Sequence, residues 1–325
     1  MSACSVVIRA FNEEKHIGRL LEGIRHQTIK DVEIILVDSG SSDSTVDIAR
    51  NFDATILQIK PEEFSFGRAL NRGIEHCKNE LVVIASAHVY PVYPDWLAKL
   101  LEPFRDPKVA LTYGKQRGME ESQFSEKQIF QHWYPDRSEL KQAHPFCNNA
   151  NAAIRRSLWL KHAYNETLPA LEDLAWARWA YEQGLLITYS AEAEVIHVHN
   201  ETWKGIQNRY RREAMAFKQI YPNENFHLWN LIGLWFRNVA SDYRAALSQN
   251  CLGHCWRDIL NFRWRQFWGT YRGYHQSGPL TWQLKQAFYY PRNHIHSDIP
   301  SAESRMTPIS YEKSKPTKSE GDDET

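Results

Sequence analysis

Short apolar runs of strand length alternate with helical spacing of apolar residues over the first part of the chain. The run at residues 4–10 is almost continuously apolar, and Ile17, Leu20, Leu21 and Ile24 then follow at the spacing of one helix face. The same reading predicts strands at 4–10, 32–38, 54–59, 80–86 and 109–113 and helices at 13–27, 44–51, 66–77 and 94–105. Strands that alternate with helices in this way predict an α/β domain built on a parallel, doubly wound sheet.

The second part of the chain changes character. Residues 114–145 are polar and irregular and are expected to form a mobile loop, after which 146–162 return to the core. A helix is predicted at 172–183 and one or two strands at 185–199, and the chain is mainly helical from residue 202. We expect three segments, which are a catalytic α/β domain at 1–222, a helical extension rich in Trp and Arg at 223–298, and a disordered tail at 299–325.

Polar clusters follow the predicted strands at the edge where an α/β sheet binds ligands. In the first of them, residues 37–45 read VDSGSSDST. An acid at a strand end can bond a base or a ribose, and the small loop with its helix start can accept an anion. An ordinary turn and helix cap explains the same letters equally well.

The segment 80–91 reads ELVVIASAHVYP and ends its strand in Ser86 and His88. In a nucleotide-diphosphate transferase this position holds a divalent ion that bridges the phosphates. A neutral imidazole can ligate manganese and is a poorer ligand for magnesium. The alternative is that His88 bonds a phosphate or packs.

Two further groups carry candidate chemistry. Glu172 and Asp173 begin a helix, where a carboxylate can serve as a general base or act only as a capping charge. His197 and His199 lie on the same face of a strand and can hold a metal or pyrophosphate, or be structural.

Composition narrows the class of protein. The formal net charge is zero and no docking motif is evident, so we expect no nucleic-acid partner. The five cysteines are scattered, which argues against zinc and favours reduced thiols in a cytoplasmic protein. Apolar runs stay below the roughly 18 residues of a membrane span, and no signal-peptide pattern is seen.

Taken in order, these motifs resemble glycosyltransferase family 2, the inverting group with the GT-A fold. The resemblance covers residues 4–215 and also rests on SVVIRAFNEEKHIGRLL at 5–21, GRALNRGI at 67–74 and CNNANAAIRRSLW at 147–159. It implies a Rossmann-like, mixed but mostly parallel sheet flanked by helices. It also implies transfer of a sugar from a nucleotide-sugar donor to a glycan or lipid-linked acceptor, as in bacterial capsule and O-antigen synthesis.

The resemblance assigns a role to individual residues. Asp173, with Glu172 beside it, matches the catalytic base, Asp38 the first nucleotide-binding acid, and His197 or His199 the late histidine that holds metal or diphosphate. The predicted nucleotide-binding residues are Ala10, Phe11, Glu13, Asp38, Ser39, Arg68, Asn71, Ser86, Ala87, Arg209 and Arg212. The predicted metal-binding residues are His88, His197 and His199.

Two departures from the family pattern bear on the donor. Ser39 replaces the acid that commonly binds uracil in the family, so the nucleobase of the sugar donor stays undetermined. Ser86-Ala87-His88 replaces Asp-x-Asp. Either His88 ligates manganese or magnesium, or arginines such as Arg209, Arg211 or Arg212 stabilise the leaving phosphate without metal. A cytidine-monophosphate donor also stays open.

The extension suggests a partner. Residues 204–275 hold eleven Lys and Arg against four Asp and Glu. The segment 227–236 is strongly apolar on at least one face, and the segment 256–272 mixes Trp, Phe and Arg. Interfacial helices have this composition, so the cytoplasmic face of the inner membrane is one expected location. Packing on the core or a homodimer is the alternative.

A degenerate nucleotide-sugar-binding scaffold is the competing function, and sugar-phosphate nucleotidyltransfer is disfavoured because no Gly-rich basic loop follows the first strand.

Overall fold

The computed structural model describes residues 3–119, 122–198 and 201–276, together with Leu284, Phe288, Tyr289 and Ile309. Within these residues, eight strands form one sheet in the order β3-β2-β1-β4-β7-β6-β8-β5. The strands are β1 (Cys4–Ala10), β2 (Val32–Asp38), β3 (Thr55–Gln58), β4 (Leu81–Ser86), β5 (Val89–Pro91), β6 (Val109–Arg117), β7 (Asn151–Arg155) and β8 (Leu186–His197).

Helices cover both faces of the sheet. They are α1 (Ile17–Arg25), α2 (Thr45–Arg50), α3 (Phe66–Glu75), α4 (Trp96–Leu101), α5 (Phe124–Trp133), α6 (Arg156–Trp159), α7 (Glu172–Glu182), α8 (Trp203–Ile220), α9 (Leu228–Ser248) and α10 (Leu252–Tyr274). Each face has its own core, because alternate residues of β1 and β4 point to opposite sides. Val7 and Ile84 pack with α3 and α7, whereas Ile8 and Val83 pack with α1 and α4.

The sheet is mixed, as predicted. The first four strands in chain order pair in parallel, and β6 also pairs in parallel with β8. The pairs β4–β7, β6–β7 and β5–β8 are antiparallel. The parallel half therefore brings the carboxyl ends of β1, β2 and β4 to one edge, where several of the predicted site residues lie.

The segment 114–145 departs from its prediction as irregular loop. Strand β6 continues to Arg117, and residues Phe124–Trp133 form α5. Phe130 anchors this helix because its ring is buried in the same core as β6. Helical periodicity was weak here because most of the other side chains of α5 are polar.

The helices after residue 202 pack closely on one another. Gly269 and Gly273 of α10 lie against the backbone of α8, and a Cβ at either position would come within 2.4 Å of the carbonyl oxygen of Gln207 or Arg211. Arg263 of α10 forms a buried ion pair with Asp242 of α9 at 2.7 Å, and Asp242 accepts a hydrogen bond from Ser125 of α5 at 2.6 Å.

The helical character of the extension is thus confirmed as far as residue 276, while the boundary predicted at 222 stays a prediction. The tail predicted at 299–325 lies outside the described residues except for Ile309. Among the described helices, none is both long and apolar enough to span a bilayer.

Candidate active site

The carboxyl ends of β1, β2 and β4 form one continuous edge. Arg9, near the end of β1, lies in register with Val37 on one side and with Ser86 on the other. The residues that follow these strands converge here, and the start of α7 joins them through an ion pair between Arg9 and Glu172 at 2.9 Å. Residues from four distant parts of the sequence therefore meet in one polar site.

The loop after β2 is held rigidly by its own hydrogen bonds. Asp38 is buried, and its carboxylate accepts the backbone N–H groups of Gly40 and Ser41 at 3.1 Å. Ser39 is also buried and donates its hydroxyl to the carbonyl of Ala10 at 3.3 Å. The loop is tied to the turn after β1, since Asn12 accepts the Ser42 N–H at 2.8 Å.

His88 lies immediately beyond β4 with both ring nitrogens in hydrogen bonds. Its Nδ1 donates to a Glu13 carboxylate oxygen at 2.7 Å, and its Nε2 is 3.1 Å from the Ser86 hydroxyl oxygen. Burial lowers the pKa of His88, but the carboxylates of Glu13 and Glu201 together raise it above its usual value.

The second predicted histidine stacks on the first. The rings of His88 and His197 lie 5.2 Å apart at 20°. His197 is buried and its Nδ1 donates to Gln116 Oε1 at 2.7 Å. His199, the third predicted ligand, lies outside the described residues. Within the part of the chain that is described, no three His, Cys, Asp or Glu side chains are grouped to hold a metal ion.

The carboxylate pair begins α7 from an unusual backbone conformation. Leu171, directly before it, has φ of 55° in the left-handed region, which a non-glycine residue adopts at some energetic cost. This turn directs Asp173 inward, where its carboxylate accepts the N–H of Asn149 at 3.0 Å and of Leu174 at 2.8 Å. Glu172 is also buried and is held by Arg9.

The pKa of Asp173 is raised well above that of an ordinary aspartate. Burial raises its pKa, the neighbouring Glu172 carboxylate raises it further, and the two backbone N–H donors and Arg9 only partly offset these effects. The resulting pKa of Asp173 is about 7. A carboxylate with this pKa can take a proton near neutral pH and release it again.

Comparison with known proteins shows similarity to glycosyltransferases. The family model described as "Glycosyl transferase family 2" matches residues 5–162. The chain is 26% identical over 257 residues to the O-antigen chain rhamnosyltransferase RfbN of Salmonella typhimurium, which covers 75% of this chain and 81% of that protein. It is 27% identical over 233 residues to the O-antigen chain rhamnosyltransferase WbaN of Salmonella anatum, covering 68% of this chain and 74% of that protein.

Residues 5–162 are a glycosyltransferase family 2 domain.

Solved structures show that the glycosyltransferase has the predicted GT-A fold. The mannosyltransferase PcManGT of Pyrobaculum calidifontis, solved with GDP-mannose and Mn²⁺, superposes with a TM-score of 0.60 at 18% identity, over 83% of this chain and 86% of that one. Glucosyl-3-phosphoglycerate synthase of Mycobacterium tuberculosis, solved with UDP and Mn²⁺, superposes with a TM-score of 0.53 at 18% identity, over 69% and 81%.

Two predicted nucleotide-binding residues of the glycosyltransferase, Arg68 and Asn71, bind other residues of the protein. Asn71 donates to the carbonyl of Tyr164 at 2.9 Å and accepts the indole N–H of Trp159 at 2.9 Å. Arg68 pairs with Glu166 at 2.7 Å. A polar cleft of about 330 Å³ opens here and is lined by Gln58, Ile59, Glu63, Arg68, Arg72 and Glu166. Arg68 is thus at a cleft, whereas Asn71 braces the segment before α7.

The two predicted phosphate-binding arginines of α8 differ in environment. Arg209 is held between Glu201 at 2.7 Å and Glu126 at 2.8 Å, so its charge is already compensated. Arg212 lies with its guanidinium 4.8 Å from the centre of the Phe66 ring. Arg9 contacts the same ring at 4.7 Å, so Arg212 is close to the site and Arg209 serves the packing of α8.

Sequence reasoning missed Arg9 and interpreted Glu13 as part of a base pocket. Arg9 pairs with Glu172, and Glu13 is the hydrogen-bond partner of His88. An arginine inside an otherwise buried strand was the available signal for Arg9, because a buried charge needs a partner. The sequence offers no comparable signal for Glu13, whose partner lies 75 positions away.

Proposed function

We propose that this glycosyltransferase is an inverting enzyme in O-antigen-type polysaccharide synthesis at the cytoplasmic face of the inner membrane. It moves a sugar from a nucleotide-sugar donor to a hydroxyl of a glycan or lipid-linked acceptor, with Asp173 as the general base. The matches to two O-antigen rhamnosyltransferases over about three quarters of their length support this class of reaction and make a nucleotide-activated rhamnose the first donor to test.

The position of Asp173 is the observation that carries the proposal. Its buried carboxylate is fixed by two backbone N–H donors at the start of α7, beside the ends of the strands. With a pKa of about 7, it is ionised in a large share of molecules at neutral pH yet basic enough to accept the proton of an attacking hydroxyl. Direct attack by that hydroxyl on the anomeric carbon inverts the configuration.

The leaving nucleotide needs positive charge, and we assign it to side chains of the protein. Glu13 raises the pKa of His88 and so favours its cationic form, and Arg9 lies close enough to affect the pKa of both His88 and Asp173. Fixed cations of this kind stabilise the negative charge that develops on the departing phosphate.

The residues at the end of β4, where a metal ion was predicted, do not fit manganese or magnesium well. Both ring nitrogens of His88 are already in hydrogen bonds, with Glu13 and with Ser86, and a protonated imidazole has no lone pair for a metal. The adjacent Ser86 and Ala87 supply no carboxylate, the ligand that a hard divalent ion prefers. We therefore propose that protein side chains alone stabilise the leaving phosphate, and we expect transfer to persist in the presence of a chelator.

Replacing Asp173 by Asn tests the proposed role of Asp173 as the general base. We expect transfer to fall by about three orders of magnitude, within the range for loss of a general base, while donor binding is kept. Asp95→Asn, at the start of another helix, is the matched control and should transfer normally. Donor binding is followed by the rise in melting temperature that a ligand of the folded state produces.

Three results would contradict the proposal. Full transfer by Asp173→Asn would exclude the base, and a product with retained anomeric configuration would exclude direct attack. Donor binding by the native protein without any transfer or donor hydrolysis would favour a degenerate scaffold.

A further inference from the structure

The outer side of α9 exposes large apolar side chains along one stripe. Trp229, Ile232 and Phe236 are 69%, 46% and 62% exposed. Their spacing of three and four residues places them on the same face of the helix. A row of this kind on one helix is unusual for a surface that faces only water, since large exposed apolar patches mark interaction sites.

The stripe continues across to α10 through a chain of aromatic contacts. The ring of Phe236 lies 4.8 Å from that of Trp235, which lies 6.3 Å from Trp264. Trp264 stacks on Trp268 at 5.9 Å, and Trp268 on Tyr271 at 5.7 Å. We call this surface the aromatic face, and its residues are Trp229, Ile232, Trp235, Phe236, Trp264, Trp268 and Tyr271.

Helices α9 and α10 carry a net positive charge. Residues 228–276 contain six arginines, no lysine and two acids, Asp242 and Asp258. One arginine, Arg263, is buried in its ion pair with Asp242. That leaves five arginines against one acid, and two of them, Arg237 and Arg272, are exposed and directly follow Phe236 and Tyr271 in the chain.

We propose that the aromatic face binds the surface of a membrane that contains anionic phospholipids. Trp and Tyr rings favour the level of the lipid headgroups, where their apolar bodies leave water and their polar atoms stay hydrated. The flanking arginines attract the negative headgroups. No described helix can span the bilayer, so the helices would lie in the plane of the interface.

The same charge pattern disfavours a second copy of the chain as the occupant. A two-fold dimer through the aromatic face would bring the same arginines of both copies together with one exposed acid from each to compensate. Like charges across an interface oppose association, whereas an anionic surface complements them.

Docking of this face would also orient the active site. Helix α10 is packed on α8 through Gly269 and Gly273, and Arg263, through Asp242, links the extension to α5. Because these contacts join the extension firmly to the catalytic domain, the aromatic face sets the direction from which an acceptor in the membrane reaches the site.

Vesicle flotation of the full chain tests the apolar part of the proposal. We expect flotation with phosphatidylcholine–phosphatidylglycerol vesicles and little with phosphatidylcholine alone. The double variant Trp229→Ser/Phe236→Ser should bind about tenfold more weakly or worse, because two exposed apolar side chains no longer enter the interface. Leu140→Ser/Leu160→Ser removes two residues of similar exposure, 65% and 63%, from the catalytic domain and should bind like the native chain.

Charge reversal tests the electrostatic part. Arg237→Glu should weaken flotation by about fivefold or more and make it less sensitive to salt, whereas Arg105→Glu, exposed on the catalytic domain, should have little effect. The proposal is overturned if the native chain does not float with anionic vesicles, or if the two double variants float equally. It is also overturned if the aromatic variants change only the mass of the protein in solution, because the face would then join two copies. Binding is measured without substrate, so this outcome is independent of the proposed transfer reaction.

Discussion

Two titratable pairs at the same edge of the sheet have raised pKa values for opposite reasons. In the first pair, the pKa of His88 is raised because the Glu13 carboxylate, together with Glu201, offsets the effect of burial. In the second, Asp173 holds its proton more tightly because burial and the Glu172 carboxylate both disfavour its charge. An upward shift therefore preserves a positive charge in one case and delays a negative charge in the other.

In the proposed mechanism, the reaction needs a negative charge on Asp173 and a positive charge on His88. Asp173 would act as a base once the pH rises through about 7. His88 would act as a cation until the pH rises through its own pKa, which is raised above its usual value. We expect a narrow bell-shaped dependence of kcat/KM on pH, with Asp173 on the ascending limb and His88 on the descending limb.

The buried ion pair of Arg263 and Asp242 differs from the two pairs at the site, because its charges hold helices together. We expect its loss to have the largest effect of the changes considered, and to act on stability. Arg263→Met leaves the buried Asp242 carboxylate uncompensated and should lower the free energy of unfolding by about 3–5 kcal/mol. Urea unfolding measures this loss, and Arg257→Met, at an exposed position of the same helix, is the control. A changed pH profile in the folded variant would show that the extension acts on the chemistry as well.

Removing the carboxylate beside His88 should have a smaller effect, confined to one limb. In Glu13→Gln, burial then dominates and the pKa of His88 falls, so the descending limb moves to lower pH. At pH 8 we expect kcat/KM to drop by about tenfold, while Asp173 still sets the ascending limb. Glu14→Gln is the neighbouring control. An unmoved descending limb would mean that His88 is not the cation that assists departure.

Arg9→Met should move both limbs together, by less than the loss of Glu13 moves one. Arg9 lowers the pKa of both His88 and Asp173, so its removal raises both and displaces the whole profile to higher pH. The expected loss at pH 6 is a few-fold to about tenfold. Arg9→Lys should restore most of the native profile, because it retains the charge. Movement of one limb alone would contradict the shared position of Arg9.

The contrast between these pairs also marks what the sequence could predict. Buried runs such as 4–10 and 80–86 identified strands, and motif order gave the family and the GT-A fold, because both depend on local patterns. The motifs also single out His88 and Asp173 as candidate site residues by their position. Their partners were not recognised, because Glu13 reaches His88, and Arg9 reaches Glu172, only after the sheet has assembled.

The same limit applies to backbone and to weakly periodic segments. The left-handed conformation of Leu171 could not be predicted, since leucine has no preference for it and the surrounding fold imposes it. Helix α5 was missed because the buried Phe130 is one of few apolar anchors among polar residues. Whether the predicted nucleotide-binding and metal-binding residues act as assigned stays a prediction.

The seam between α8 and α10 has a consequence for exchange of parts between relatives. At Gly269 and Gly273, the two helix backbones approach so closely that even alanine would collide with a carbonyl oxygen. The extension is therefore not an interchangeable module. Consider a chimera that takes its last helices from another family member. It will assemble only if that relative has glycine at both positions, or if helix α8 of the chimera curves away to make room.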